Sequence, residues 1–440
     1  MLESSQYLNE FTNKFYKSIH DELFDNILPY WEKHSRDTRP GFEGFFGQID
    51  NDNTCHPECE RSIVMTSRFL WTYSNVARMT KDDRYLKMAD FAYDVITKKY
   101  WDKKNGGVYW SVMADGSPKI SKKQIYGEAF CIYGLSEYAA ATHSENAMNL
   151  ALVLFNLLEK YARDSFRESA ADGYIEACAQ DWSPTTDMIL SPKDMNCPKS
   201  MNTNLHVMEA YTNLYRTLPL VFPDAKEIRA QVGTALSDLV QITVNKILQP
   251  NAHLGMFFDM DWKPLSGEIS YGHDIEASWL LWEAVCELEA SESETPFSAT
   301  KDSIRDTVIR IADVALQEGF DHQNGCMEDS LRSAVNGDGK GNCVGDKIRN
   351  RNRVWWVQAE AMNGFYNAWE MTGDEKYSEA FHAQWDWIQN YQVDRQGGDW
   401  WNELNAEGKP ILTEDKGGNW KTSYHNGRTC LELLRRSGNL

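Results

Sequence analysis

Three histidines carry the clearest chemical signal in this sequence, because each lies near the predicted start of a helix. His206 lies in MNTNLHVMEAY, His273 in SYGHDIEASW and His425 in NWKTSYHNGR. Glu276 follows His273 by three residues, so a helix places both on one face, where the carboxylate can hold the imidazole. This arrangement is typical of general acid–base chemistry. The alternative is a helix N-terminus at which acidic residues complement the helix dipole.

Arg68 is the main candidate for binding oxygen atoms of a ligand. It lies in SRFLWTYS, in a helix that is otherwise apolar along that face. A buried guanidinium needs an anionic or strongly polar partner, so Arg68 either binds a ligand or forms an ion pair in the core. The chain shows no serine nucleophile elbow, glycine-rich phosphate loop or nicotinamide fingerprint. The sequence therefore favours proton transfer by imidazoles.

A metal site is the alternative use of the same residues. His206 and Glu209 repeat the His-x-x-Glu spacing of His273 and Glu276, and this spacing also occurs in metal-binding helix bundles. A carboxylate beside a histidine is equally expected where it orients an imidazole for proton transfer. We expect a metal-free site that needs no cofactor.

Helical periodicity dominates the chain and supplies the elements that must position these residues. The pattern predicts twelve helices, at Ser5–His34, Arg61–Thr80, Asp83–Tyr100, Gln124–Ala141, Ser144–Arg163, Ser200–Thr217, Pro223–Ile247, His273–Glu289, Thr300–Glu318, Arg353–Met371, Lys376–Gln392 and Trp420–Arg436.

Short aromatic segments that begin with glycine lie between alternate helices. They begin at Gly44, Gly107, Gly173, Gly255, Gly325 and Gly398. Each is typical of a small hairpin, so the chain has six repeats of a hairpin and a helix pair. The simplest closed arrangement is an all-α (α/α)6 barrel with short β-hairpins and loops at one rim. An open helical solenoid has the same period, although no repeat has the polar face of a cap.

Closure into a barrel would bring the chemical residues together. Arg68 and the three histidines fall on the inner ring, as do Tyr126 and Trp356, whereas the other seven histidines are expected at the surface. No linker rich in Pro, Gly or Ser divides the chain, which predicts a single domain over residues 1–440. The polar segment Asn336–Asn352 is expected to be a long rim loop, either a lid or an insertion.

Composition limits the possible partners. The net charge of −20 and the pI near 5.0 argue against nucleic acid and anionic membranes. The N-terminus lacks an apolar signal core, and no later run is long enough to span a bilayer. The nine dispersed cysteines indicate reduced thiols in a cytoplasmic protein. The 16 Trp and 20 Tyr suit the stacking of sugar rings, although tryptophan also fills helical cores.

Several stretches resemble the N-acylglucosamine 2-epimerase superfamily, and most closely its cellobiose 2-epimerase branch and the related mannose 2-epimerases. These stretches run from about Gly44 to Arg428 and are GFFGQIDNDN, SRFLWTYSNVAR, QIYGEAFCIYGLSEY, NTNLHVMEAY, GHDIEASWLLWEA, WWVQAEAMNGF and NWKTSYHNGR. The resemblance implies an (α/α)6 barrel that opens an aldose ring and inverts C2 through a cis-enediolate.

The resemblance also implies roles for individual residues. His273, with Glu276 as its partner, and His425 would be the two acid/base groups. His206 would clamp the reacting end of the sugar, and Arg68 would bind its oxygens at C1 or C2. The remaining members of the pattern would line the sugar pocket, and they are Tyr126, Asp194, Asn202, Trp356 and Trp420.

The substrate and the outcome of the reaction stay open at this point. The long loop before Arg353, and Val357 where proline is common, leave both a cellobiose-type β-1,4 disaccharide and a free hexose possible. An enediolate protonated at C1 gives a ketose, so a mannose–fructose isomerase shares the same pocket. The rivals are a glycoside hydrolase or lyase, which would need two carboxylates from a set such as Asp194, Glu276 and Glu403, and a non-catalytic sugar-binding barrel. We expect a monomer or homodimer that binds a small sugar.

Overall fold

Twelve helices, numbered α1–α12 in chain order, form the protein in the residues that the computed structural model describes, which are 13–164, 172–290, 301–333 and 347–440. The even-numbered helices are α2 Ile63–Thr80, α4 Ile125–Thr142, α6 Met201–Val221, α8 Tyr271–Ala290, α10 Trp355–Thr372 and α12 Tyr424–Ser437. Each odd-numbered helix contains a π-helical turn. The odd-numbered helices, each followed by its π-helical turn, are α1 over 13–34 with Glu22–Ile27, α3 Leu86–Val95 with Ile96–Tyr100, α5 Glu145–Leu157 with Leu158–Ala162, α7 Lys226–Ile242 with Thr243–Ile247, α9 Lys301–Val314 with Ala315–Gly319, and α11 Glu375–Trp387 with Ile388–Gln392.

The even-numbered helices form a closed inner ring. Each packs against the next, and α12 packs against α2. They are the most buried helices, and α4 is buried from Ile125 to Ala140 on all sides. The odd-numbered helices cover them from outside and bury one face only, as in α9. This two-layer arrangement confirms the predicted (α/α)6 barrel.

Eighteen short strands form the rim in the described part of the chain. They are β1 Arg36–Asp37, β2 Gly44–Phe45, β3 Gln48–Ile49, β4 Arg61–Ser62, β5 Ser111–Val112, β6 Pro118–Ile120, β7 Lys123–Gln124, β8 Ala177–Cys178, β9 Lys199–Ser200, β10 Phe257–Phe258, β11 Ile269–Ser270, β12 Phe320–Asp321, β13 Cys326–Met327, β14 Ser330–Ser333, β15 Lys347–Asn350, β16 Arg353–Val354, β17 Glu403–Leu404 and β18 Gly417–Gly418.

Antiparallel pairing at this rim joins each repeat to the next. The strand that leads into an inner helix pairs with a strand of the following repeat, and the pairs are β4–β5, β7–β8, β9–β10, β11–β14 and β16–β17. The last such strand, β18, pairs with β3 of the first repeat. The ring is therefore closed by backbone hydrogen bonds as well as by helix packing, and the alternative of an open solenoid is wrong.

Buried ion pairs hold most of these rim segments in place. Each joins an aspartate just after an outer helix to a basic residue before the next inner helix, and the described pairs are Asp37–Arg61, Asp102–Lys123, Asp164–Lys199, Asp321–Arg353 and Asp394–Lys416. In the fourth repeat Gln249 and Ile269 occupy the two positions. One charge without the other would be buried unpaired and strongly destabilising, which explains why both are replaced together.

The fourth residue of four consecutive inner helices ties the helix to its hairpin. Each side chain accepts a hydrogen bond from a hairpin backbone N–H, and the pairs are Glu128 with Val108, Asn204 with Tyr174, Asp274 with Leu254, and Gln358 with Met327. Glu128 is unusual because its other oxygen is buried without a partner. Burial raises the pKa of Glu128 to about 8, so the carboxyl is neutral in the folded protein near pH 7.

Replacing Glu128 by glutamine is therefore expected to stabilise the protein more at pH 8 than at pH 5. The folded carboxyl stays protonated while the unfolded one ionises, so wild-type stability falls by about 1.4 kcal/mol per pH unit above the unfolded pKa until the folded pKa is reached. The amide keeps the Val108 bond and has no such penalty. Thermal unfolding of both proteins at the two pH values measures this, and a stability difference that does not change with pH would contradict it.

Several predicted boundaries need correction. The last helix begins at Tyr424, four residues after the predicted Trp420, because Ser423 precedes the helix and the Trp420 carbonyl binds Arg68 instead of continuing a helix. Within the predicted loop Asn336–Asn352, residues Lys347–Asn350 form a strand paired with β14. Residues 5–12, Thr300 and the loop up to residue 346 lie outside the described residues, and the single-domain prediction stays a prediction. None of the described helices has the length and apolar character needed to cross a bilayer.

Candidate active site

The side chains that face into the ring come from three repeated positions of the inner helices. Residues i, i+4 and i+7 share one helix face, and the second, sixth and ninth residues of α2, α4, α6, α8 and α10 form that face at three levels. On α12 the inward residues are His425, the second residue, and Arg428, the fifth. The second residues include Tyr126, Asn202, Trp356 and His425, the sixth include Arg68, Phe130, His206, Glu276 and Glu360, and the ninth include Trp71, Tyr133, Glu209 and Trp279. Neighbours at one level touch around the ring, as Arg68 does over the Phe130 ring at 4.6 Å.

His206 is held by a carboxylate one turn along its own helix. Its Nδ1 lies 2.7 Å from Glu209 Oε2, and its ring lies 5.0 Å from the rings of both Tyr126 and Phe130. Burial lowers the pKa of His206, although Glu209 opposes the shift. Glu209 itself is ionised, because Arg428 and His206 outweigh the effect of burial and lower its pKa to about 2. His206 therefore enters the site as a neutral ring with Nδ1 occupied.

His425 is held by a carboxylate from the neighbouring inner helix. Its Nδ1 lies 2.6 Å from Glu360 Oε1, and its ring packs against Trp355, Trp356 and Tyr424. Burial, followed by the positive charges of nearby arginines, lowers the pKa of His425 well below its usual value. Sequence reasoning missed Glu360 as the partner of this histidine.

His273 uses a hydroxyl as its partner, and the predicted pairing with Glu276 is wrong. Its Nδ1 lies 2.7 Å from Ser270 Oγ, which also accepts the His273 backbone N–H. Glu276 Oε1 instead accepts a 2.8 Å hydrogen bond from Arg428. His273 stands at the third position of α8, beside the inward face, whereas Glu276 at the sixth position points to the ring centre. Burial lowers the pKa of His273 to about 3.

His273 and His425 meet at one end of the barrel, and His206 is close enough to lower the pKa of both. The Trp356 ring lies 4.7 Å from the His273 ring and 5.7 Å from the His425 ring, so both imidazoles border the same indole. Each histidine uses Nδ1 for its partner, and among the described residues none makes a hydrogen bond through Nε2. All three Nε2 atoms are therefore available to a ligand.

Arg68 lies at the same level and is fixed by polar groups. One terminal nitrogen donates to the Trp420 carbonyl at 2.6 Å and the other to the Tyr126 hydroxyl at 3.0 Å. Its guanidinium stacks over Phe130 and Tyr424. No carboxylate among its described hydrogen-bond partners neutralises it, so the structural ion pair that was the alternative for Arg68 is wrong. The guanidinium remains available to negative charge on a ligand.

The remaining predicted pocket residues differ in their burial and in their contacts. Asn202 is half-buried and its Oδ1 has no partner among the described residues. Trp420 is 40% exposed, and its ring lies 5.8 Å from the Tyr126 ring, which places it at the mouth. Asp194 lies in the loop before β9, where it accepts a hydrogen bond from Ser191 and burial raises its pKa.

The chain was compared with known proteins. The family model described as N-acylglucosamine 2-epimerase matches residues 44–428. The chain belongs to this family. It is 37% identical to a cellobiose 2-epimerase from Bacteroides fragilis over 95% of this chain and 98% of that protein. The structure of a cellobiose 2-epimerase from Spirochaeta thermophila has 36% identity and a TM-score of 0.83, and the match covers 98% of both chains. A D-mannose isomerase from Marinomonas mediterranea is more distant, at 21% identity over 89% of this chain and 91% of that protein.

Family membership confirms the predicted superfamily and the prediction that the protein is an isomerase of the carbohydrate epimerase class. The arrangement of the individual site residues is described from the structure of this epimerase itself, and their roles stay predictions. The sequence signal that finds Glu360 is its helix position, since it occupies the same sixth place as Arg68 and His206. Arg428 was visible in the last motif, but only the closed ring brings it against residues of three other helices.

One group of described residues in this epimerase has ligand atoms close enough for a metal ion. Glu276, Glu360 and His425 offer atoms within 4.8 Å of one another. Arg428 already donates to both carboxylates, with its Nη2 2.8 Å from Glu276 and 2.6 Å from Glu360. Arg428 therefore already places a positive charge beside both carboxyl groups.

Not all other histidines of the epimerase are on the surface, so that prediction is wrong for His253. This residue is 2% exposed and bridges Asp274 at 2.7 Å and Glu318 at 3.3 Å. It fastens the fourth hairpin, where the usual buried ion pair is absent. A separate cleft of about 610 Å³ lies between α1 and residues 389–398, and its lining contains none of the predicted site residues.

Proposed function

We propose that this protein is a sugar 2-epimerase that interconverts the glucose and mannose configurations at C2 of the reducing-end residue of a cellobiose-type β-1,4 disaccharide. The observation that carries the proposal is the convergence of three neutral imidazoles, each with a free Nε2, and one uncompensated guanidinium in a single cavity. The full-length similarity to two cellobiose 2-epimerases supports the choice of substrate. We further propose that the enzyme is cytoplasmic and works without a metal or other cofactor.

The reaction begins with opening of the sugar ring, because only the open form has a carbonyl beside C2. His206 and Arg68 hold the carbonyl end of the open sugar. Removal of the C2 proton then forms an enediolate, and its negative oxygen lies against Arg68. The guanidinium is already fixed by the Tyr126 hydroxyl and the Trp420 carbonyl, so it stabilises this charge without rearrangement.

His425 and His273 act as the two acid/base groups on opposite sides of the open sugar. Burial raises the pKa of Glu360, but hydrogen bonds from Arg428 and Trp279 oppose this shift and stabilise the ionised form. We therefore assign the negative charge to Glu360, so that His425 carries its proton on Nδ1 and offers the Nε2 lone pair as a base.

Ser270 Oγ can donate its hydrogen to Nδ1 of His273, and we assign this direction to the resting site, which leaves the His273 proton on Nε2. A base and an acid thus exist together in the resting site without a charged imidazole, which the buried site would disfavour. His425 takes the C2 proton and later releases it to solvent, while His273 gives its Nε2 proton to the opposite face of C2 and regains one from solvent, which restores the resting site.

The test is to incubate the protein with cellobiose, lactose, glucose and mannose separately in heavy water and to follow the products by NMR. We expect the β-1,4 disaccharides to give the C2 epimer of their reducing-end residue, with deuterium at C2. Glucose and mannose are expected to react more slowly. Epimer without deuterium would contradict proton abstraction by the histidines.

The second candidate function is aldose–ketose isomerisation of free mannose, which the family resemblance and the more distant D-mannose isomerase favour. In the same experiment it would give fructose from mannose and leave the disaccharides unchanged. Release of glucose from cellobiose would identify a hydrolase. Tight sugar binding without any product would identify a binding protein.

A further inference from the structure

Arg428 connects two of the three histidines through their carboxylate partners. It is 1% exposed and stands on α12, at the centre of the ring. Its Nη1 donates to Glu209 Oε1 and to the Tyr424 hydroxyl, which also donates to Glu209. Its Nη2 donates to Glu360 Oε1 at 2.6 Å and to Glu276 Oε1 at 2.8 Å. Glu209 holds His206 and Glu360 holds His425, so one guanidinium joins both pairs.

The hydrogen bonds around Arg428 indicate which of the buried carboxyl groups carries a proton. Glu360 accepts from Arg428 and His425 on one oxygen and from the Trp279 indole N–H on the other. The second oxygen of Glu276 is buried without a partner, and burial together with the neighbouring Glu360 raises the pKa of Glu276 well above its usual value. Glu276 therefore keeps a proton, while Glu209 and Glu360, which accept from different terminal nitrogens of Arg428, are the ionised members of the cluster.

Only an arginine has the shape for this task. The planar guanidinium presents two terminal nitrogens that reach carboxylates on opposite sides, and it is held flat between the Tyr424 ring at 4.4 Å and the Trp279 ring at 4.8 Å. A lysine ammonium is a single point of charge and cannot bridge both sides.

We propose that Arg428 is a positioning residue that orients His206 and His425 together, by keeping Glu209 and Glu360 ionised so that both imidazoles carry their proton on Nδ1 and turn Nε2 to the sugar. This inference rests on the proposed function for its catalytic meaning. Without the guanidinium, the buried carboxylates would bind protons and donate them to Nδ1, which would turn each Nε2 from an acceptor into a donor. His273 has no part in this connection, since its partner is Ser270.

The test is to record the imidazole nitrogen NMR signals of the full-length protein, labelled with ¹⁵N-histidine, in wild type and in Arg428→Lys. In wild type we expect His206 and His425 to be protonated on Nδ1 and His273 on Nε2. In Arg428→Lys, His206 and His425 should both lose the pure Nδ1–H form while His273 keeps its signal. The kcat should fall at least about tenfold with KM changed by less than about threefold, as for an interaction used in the transition state.

Two results in Arg428→Lys would overturn the proposal. If His206 and His425 keep the Nδ1–H form in Arg428→Lys, or if His273 changes with them and unfolding loses its cooperativity, Arg428 has no selective positioning role. If the variant does not fold, Glu209→Gln provides the measurement. Its effect should reach the His425 signal through Arg428 more strongly than the His273 signal, and equal shifts would overturn the proposal. The NMR signals need no turnover, so failure of the epimerase proposal would appear separately, as a wild type without activity but with the expected tautomers.

Discussion

Separate replacement of His273 and of His425 by alanine is expected to reduce epimer formation by about 10²- to 10⁴-fold, the usual cost of losing a general acid–base group. Each variant should nevertheless still exchange the proton at C2, although it cannot invert C2 efficiently. The remaining histidine can still remove and return the C2 proton on its own side, so deuterium should enter one epimer without inversion. In His425→Ala this requires the His273 tautomer with its proton on Nδ1, where Ser270 Oγ can accept it. The two variants should introduce deuterium at C2 of opposite epimers.

This result follows from the positions of the two rings. His273 and His425 border the same Trp356 ring from different helices, and a sugar carbon between them is reached from two faces. The measurement is NMR of C2 deuterium in recovered substrate after incubation of each epimer in heavy water. A single-base mechanism would instead leave one variant with full epimerisation and the other with neither exchange nor inversion.

A matched control is His143→Asn. His143 is exposed at the C-terminal end of α4, away from the site, and has a φ of 56°. Asparagine tolerates this left-handed conformation, so the variant should fold and retain wild-type turnover. A comparable loss of activity in this control would mean that the effects at His273 and His425 are not specific.

The fold was predictable because the sequence repeats the same unit, a hairpin and a helix pair, six times. The glycine-led aromatic segments and the helix pairs between them required the two-layer ring, and a repeat without polar caps favoured closure. The pairing of β18 with β3 could not be predicted, because neither two-residue strand carries a pattern of its own. The late start of α12 also escaped detection, since the backbone around Trp420 is used for a contact with Arg68 on a distant helix.

The site was predictable in its residue types and less so in its pairings. The spacing of three residues left the partner of Glu209 open and fits its observed contact with His206, yet the same spacing failed for His273 and Glu276. Spacing shows that two side chains share a helix face but does not show which neighbour each one turns towards. His273 Nδ1 contacts the hydroxyl of Ser270, just before the helix, and Glu276 accepts a hydrogen bond from the Arg428 guanidinium. The second outcome depends on Arg428, a buried charge that only the assembled ring brings against Glu276.

Glu360→Gln is expected to lower kcat by about 10²- to 10⁴-fold while the fold survives. Three donors surround the Glu360 carboxylate, from Arg428 and His425 on one oxygen and from Trp279 on the other. The amide oxygen will face Arg428 and His425, so the ring of His425 keeps its place. What the amide lacks is the negative charge that stabilises His425 when it takes the C2 proton, and removal of such a charge beside a catalytic imidazole is known to cost up to about 10⁴-fold.

Two further variants separate this charge effect from damage to the structure. In Glu360→Gln the amide nitrogen meets the indole N–H of Trp279, and two buried donors that face each other destabilise the protein. The double variant Glu360→Gln with Trp279→Phe removes this conflict, so its melting temperature should exceed that of Glu360→Gln while kcat stays low. Glu128→Gln, the same substitution at a buried carboxyl outside the cavity, should keep wild-type kcat. If kcat in Glu360→Gln stays within about threefold of wild type, or recovers in the double variant, then packing at this position matters and the charge does not, because a stabilising charge cannot be replaced by better packing.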